Sequence, residues 1–97
     1  EQTERDERQF LEAFSRGLAE RLVRYQMAVT RCAKDGEGQG WRVLVRDSAG
    51  RPFDVRISYD EAIGAGQKYG AAMGQELMSI VTRRLLGARE AYFRRMQ

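Results

Sequence analysis

The stretch from Trp41 to Tyr59, WRVLVRDSAGRPFDVRISY, constrains this chain more than any other. Trp41, Val43 and Val45 alternate with Arg42, Leu44 and Arg46. Phe53, Val55, Ile57 and Tyr59 alternate with Asp54, Arg56 and Ser58. Successive side chains of a strand point to opposite faces, so each run carries one apolar face. The intervening segment, Asp47 to Arg51, has turn composition, with Gly50 available for a left-handed backbone. Pairing Val45 with Phe53, Val43 with Val55 and Trp41 with Ile57 gathers every apolar residue except Leu44 on one side. A slip of one residue would turn one strand's set outward. The pattern predicts a two-stranded antiparallel hairpin over about 41–59 with a connection at 47–51. Gly50 falls in a bulged turn, and Pro52 at the strand start, where its missing N–H does least harm. The same register sets Arg42 opposite Arg56, a like-charge pair that the diagonal Asp54 partly offsets.

Before the hairpin, from about Thr3 to Lys34, Gly17 is the only glycine and there is no proline. Leu11, Phe14, Leu18, Leu22, Tyr25, Val29 and Cys32 fall three or four apart. They predict a long N-terminal helix over about 3–34, with Asp6 and Glu7 in an acidic first turn. The apolar stripe is narrow, and Leu11, Leu18, Tyr25 and Cys32 are spaced by seven, as in a coiled-coil seam. About 30 helical residues would span some 45 Å, long for a domain of this size. Gly36, Gly38 and Gly40 in KDGEGQG are expected to end the helix and lead into Trp41. Val23 and Met27, one turn apart and opposite the stripe, are candidate contacts for a partner.

After Tyr59 the chain is expected to be helical over about 60–96. Its start is either Asp60 as N-cap or Ser58 and Glu61 as a capping box. Gly66, Gly70 and Gly74 recur every four residues, extended by Ala62. Two readings stay open: one continuous helix whose small-residue row lets a neighbour approach its backbone, or a helix broken near Tyr69-Gly70. Lys68 among these glycines lacks the context of a phosphate loop and reads as a surface lysine. From Gln75 onward, Leu77, Ile80, Val81, Leu85, Ala88 and Tyr92 form the main stripe. Leu86 and Phe93, flanked by Met78 and Met96, widen the apolar arc beyond one core contact. They join Val23 and Met27 as candidate partner-binding residues. Glu90 and Arg94 make a favourable i,i+4 pair. Arg84 and Arg95 project toward the stripe, to snorkel, to pair with an acidic residue of the first helix, or to meet a partner.

With 97 residues the chain makes one domain, 1–97. The net charge of +3 is modest for a nucleic-acid coat. It is unevenly spread: residues 1–40 hold seven basic and eight acidic groups, whereas 83–97 hold five arginines against Glu90. Fifteen of the seventeen basic residues are Arg, which suits bidentate contacts to phosphate or carboxylate. One cysteine and no histidine exclude Cys/His zinc sites within one chain and histidine-based catalysis. Cys32 sits in the apolar stripe, where thiols are usually inert. No catalytic residue, metal or cofactor is therefore expected, and the chain does not read as an enzyme. No run of about 18 apolar residues or signal-peptide pattern is visible, so a cytoplasmic, membrane-free setting is the expectation.

The fold class that follows is α+β: a long N-terminal helix, a two-stranded hairpin and a C-terminal helix or two. A two-stranded hairpin is marginal alone, and pairing across a twofold axis would make it a four-stranded sheet. A homodimer is accordingly expected. The function expected is a small non-catalytic protein–protein interaction module, an adaptor, inhibitor or regulatory subunit, whose partners are itself and another protein. The alternative is nucleic-acid binding, with Arg42, Arg46, Arg51 and Arg56 on the ribbon and Arg84 and Arg95 on the basic last helix. Phosphate contacts of that kind would be salt-sensitive and indifferent to sequence.

Overall fold

A computed structural model describes residues 2–35 and 40–96. The order is α1 (Gln2–Leu22), a 3-10 turn (Val23–Tyr25), β1 (Met27–Lys34), β2 (Gly40–Asp47), β3 (Pro52–Ser58), α2 (Tyr59–Tyr69), a second 3-10 turn (Gly70–Ala72) and α3 (Met73–Met96). The class is α+β, with the strands in one antiparallel sheet ordered β1-β2-β3.

The hairpin stands in the register its alternation demands. Val45 faces Phe53, Val43 faces Val55, Trp41 faces Ile57, and Arg42 faces Arg56. All six of those apolar side chains are buried. The connection is held by Asp47. Its Oδ1 accepts from the backbone N–H groups of Ala49 (3.0 Å) and Arg51 (2.9 Å), and Oδ2 accepts from Arg51 Nε at 2.7 Å. Gly50 takes φ +80° there, a conformation that a side chain would strain.

The N-terminal half departs from expectation. The predicted helix over 3–34 ends at Leu22, and residues 27–34 form a third strand, paired with β2 through Met27↔Asp47, Val29↔Val45 and Cys32↔Val43. The stop is made by Gln26, whose φ of 60° is left-handed and whose N–H donates to Val23 O at 3.0 Å. Without β1, the other edge of β2 would leave backbone groups unpaired beneath α1. Pairing that edge outweighs a helical periodicity that continued only by coincidence. The sheet thus has three strands, not two, and its third strand comes from the same chain. Two of the arguments for a dimer, a marginal hairpin and an overlong first helix, fall with that change. Gly36, Gly38 and Gly40, expected to end the first helix, do not end it, since α1 stops at Leu22; Gly36 and Gly38 lie outside the described residues.

All three helices pack on one face of the sheet. Phe14, Leu18 and Leu22 from α1, Ala62 and Ala65 from α2, and Leu77, Val81 and Leu85 from α3 meet the inward residues of the strands. Burying each large side chain of this kind contributes about 1.5–3 kcal/mol. The start of α2 is a capping box: Ser58 Oγ accepts from Glu61 N–H at 3.1 Å while the Glu61 carboxylate accepts from Ser58 N–H. The helical half is broken where Gly70 takes a positive φ, +54° with ψ −121°. The expected close approach over the glycine row is not made. A Cβ at Gly70 or Gly74 would meet nothing within 4 Å, and one at Gly66 would touch only Met73 Sδ at 3.3 Å.

Candidate functional site

With the helices on one side, the other sheet face and the two sheet edges are what the fold offers a partner. The edges differ. Along β3, the carbonyl of Arg56 accepts from Arg84 Nη1 at 3.1 Å, and the Arg84 guanidinium is held by Glu61. That edge is partly occupied by α3. Along β1, no strand lies beyond it among the described residues.

Backbone groups of β1 point into this open edge. Asp35 N–H donates to Gly40 O at 2.9 Å. Bonded and non-bonded pairs alternate along an antiparallel ladder, so the Cys32↔Val43 pair is non-bonded and the N–H and C=O of Cys32 face outward. Between this edge and α1 runs an open groove of about 710 Å³. Leu11, Ser15, Cys32 and Ala33 are among its lining residues, together with Glu7, Arg8, Glu12, Arg16 and Lys34. Glu7 is engaged within the fold: its carboxylate accepts from Trp41 Nε1 at 3.0 Å and from Tyr59 Oη at 3.4 Å, and lies 3.2 Å from Lys34 Nζ. Burial pushes the Cys32 thiol above its ordinary pKa, which disfavours the thiolate a nucleophile needs.

A second groove, of about 610 Å³, lies between the 47–51 connection and α3. It unites two of the residues expected to bind a partner, Leu86 and Phe93. Phe93 is 38% exposed and carries the Arg51 guanidinium over its ring at 4.5 Å. The other two residues separate. Val23 is 71% exposed on the 3-10 turn, but Met27 is 3% exposed and belongs to the core. Met27 therefore offers no surface, because it leaves a turn and enters a strand instead of continuing a helix.

The arginines expected to grip phosphate are mostly engaged by the chain's own acids. Arg42 pairs with Asp54 at 2.9 Å, Arg51 with Asp47 at 2.7 Å, Arg56 with Asp35 at 3.5 Å, and Arg84 with Glu61. Arg84 thus pairs with α2, not with the first helix. Arg46 and Arg95 are exposed, the first on the uncovered sheet face opposite Ala28 and Pro52, the second near the end of α3. Two carboxyl groups are tuned by these contacts. Burial raises Asp47, but the hydrogen bonds from Arg51 and Ala49 together outweigh it and hold the carboxyl below its usual value. Glu61 is lowered chiefly by the hydrogen bond from Arg84, against a smaller upward pull from burial.

The edge strand β1 and its groove were missed from sequence because residues 27–34 read as helix. The Val29-Thr30 pair of β-branched residues was the available signal. Among the described residues, no group of three or more Cys, Asp or Glu could hold a metal ion, and no helix is long and apolar enough to cross a membrane. No protein-family model matches this chain, and neither a curated protein nor a solved structure matches it.

Proposed function

We propose that this chain is a small non-catalytic protein-binding module that takes up an extended segment of a partner along the open edge of β1. The observation that carries the reading is the outward-facing backbone of Cys32 beside the groove between α1 and β1. Strand addition of this kind draws affinity from main-chain hydrogen bonds and selectivity from the pockets met by alternate side chains. The half-buried thiol with a raised pKa is consistent with a binding module rather than a thiol enzyme. A lone cysteine outside any disulfide suits a reducing, cytoplasmic setting.

The nucleic-acid alternative is less well supported. Four of the six arginines it invokes are paired with carboxylates of the chain itself, and contacts to phosphate would have to displace those pairs. Homodimerisation through β1 is also disfavoured. Two antiparallel copies of MAVTRCAK would bring the exposed Arg31 side chains of both strands onto the same open face, a like-charge approach.

The test is a titration of the isotope-labelled protein with a short capped peptide alternating Val and Thr, followed by backbone amide shifts. The reading predicts shifts concentrated in β1 and the facing side of α1. Shifts confined to the sheet face around Arg46, elicited by duplex DNA and not by peptide, would overturn it in favour of the alternative.

A further inference from the structure

Resting on that reading, we infer that the segment received by β1 alternates acidic and apolar residues. Residues opposite each other across a ladder share a face. Arg31 faces Leu44, so it lies on the uncovered side of the sheet, and Cys32 faces Val43, on the helix side. A strand laid beside Arg31–Lys34 would therefore send alternate side chains to two different surroundings.

The helix-side positions meet the groove floor, where Leu11 and Cys32 are partly buried against the core. An apolar side chain there would complete a contact that the core leaves unfinished, with stabilisation in proportion to the area removed from water. The opposite positions meet Arg31, an exposed cation with no ion-pair partner among the described residues. Along the groove's rim the balance has the same sign. Glu7 is taken up by Trp41, Tyr59 and Lys34, which leaves Arg8 and Arg16 against Glu12. The acidic side chains would meet Arg31 directly on the open face, and the rim adds a weaker attraction of the same sign at longer range.

The irregularity in β1 fits the same occupant. The register with β2 shifts between Val29 and Arg31, so the strand bends there. Bulges and edge cations are devices by which an edge resists unselective pairing with other strands. Beyond the bulge, Arg31–Lys34 keeps an uninterrupted register with β2, and the charge of Arg31 there repels a second β1 and attracts an acidic segment.

Three capped peptides distinguish this inference from the reading it rests on: Val alternating with Glu, with Thr and with Lys, each measured by fluorescence anisotropy at near-physiological salt. The Glu peptide should bind roughly fivefold or more tightly than the Thr peptide, as expected for a few cross-strand charge pairs, and the Lys peptide most weakly. Arg31→Glu, an exposed change that leaves the fold intact, should abolish the preference for Glu over Thr. Cys32→Pro removes the outward N–H without removing a bond to β2 and should weaken all three peptides, with circular dichroism verifying the fold. Equal affinities for the three, or a preference that survives Arg31→Glu, would overturn the acidic assignment and leave strand addition standing. Binding of none of them would overturn both.

Discussion

The carboxylate of Glu7 on α1 accepts a hydrogen bond from the indole N–H of Trp41, at the start of β2, at 3.0 Å. The Trp41 ring in turn meets Tyr59 edge-on at 5.0 Å and lies 6.1 Å from Phe10. One acidic side chain thereby ties the first helix to the sheet and to the start of α2, on the side where the β1 groove opens.

Replacing Glu7 with Leu would leave the partly buried indole N–H and the Tyr59 hydroxyl without their acceptor. Losing hydrogen bonds of this kind is expected to cost about 1–2 kcal/mol. Trp41 is the only tryptophan, so urea unfolding followed by its fluorescence reports both the lower midpoint and the changed environment.

Two glycine substitutions should move stability in opposite directions. A Cβ at Gly40 would stand 2.0 Å from the carbonyl oxygen of Ile57, so Gly40→Ala must displace β3 or the start of β2. A cost on the order of 2 kcal/mol or more is expected. Gly74 lies in α3 with nothing within 4 Å of an added Cβ, and Gly74→Ala should stabilise by up to about 1 kcal/mol. Thermal unfolding of the two variants beside the parent gives both signs.

The hairpin was legible in the sequence because its two strands alternate without interruption, so the register and the role of Gly50 followed from sterics alone. The strand β1 was not legible for two physical reasons. Its inward residues Met27, Val29 and Cys32 are spaced by two and then three, because the bulge inserts one residue. The resulting Tyr25-Val29-Cys32 spacing matches a helix. The signal that would have stopped the helix was also hidden, since the left-handed residue is Gln26 rather than a glycine or asparagine. The open edge could not be foreseen once its strand was read as helix. Leu86 and Phe93 share a groove as the helical spacing implied, but Arg51 over the Phe93 ring depends on a turn geometry that spacing does not encode.

Acid should weaken the fold through Asp47 and Glu61. Both carboxyl pKa values are lowered in the folded state, so their stabilisation is full above the ordinary carboxylate value of about 4. It is lost as pH falls through the lowered folded values. Urea midpoints should hold steady from neutral pH to about 5 and fall below about 4. Asp47→Asn should lower the midpoint at neutral pH and flatten the acid slope. Glu61→Gln should do so less, because the Glu61–Arg84 pair is more exposed and screened by salt.

Burial separates two aliphatic positions that the apolar spacing alone does not. Leu18 is fully buried and Val23 is 71% exposed. Leu18→Ala should cost about 2–5 kcal/mol, whereas Val23→Ser should stay within about 0.5 kcal/mol of the parent. Chemical denaturation of both variants checks the contrast.

The central claim is that β1 presents at Cys32 an edge able to accept a strand, and residue-resolved amide hydrogen exchange at Cys32 tests it most directly. The account predicts fast exchange at Cys32 in the free protein, with slow exchange at its neighbour Ala33, whose N–H faces β2. Saturation with the Val–Glu peptide should then protect Cys32 strongly. Slow exchange at Cys32 in the free protein, or exchange unaltered when the peptide is bound, would contradict it.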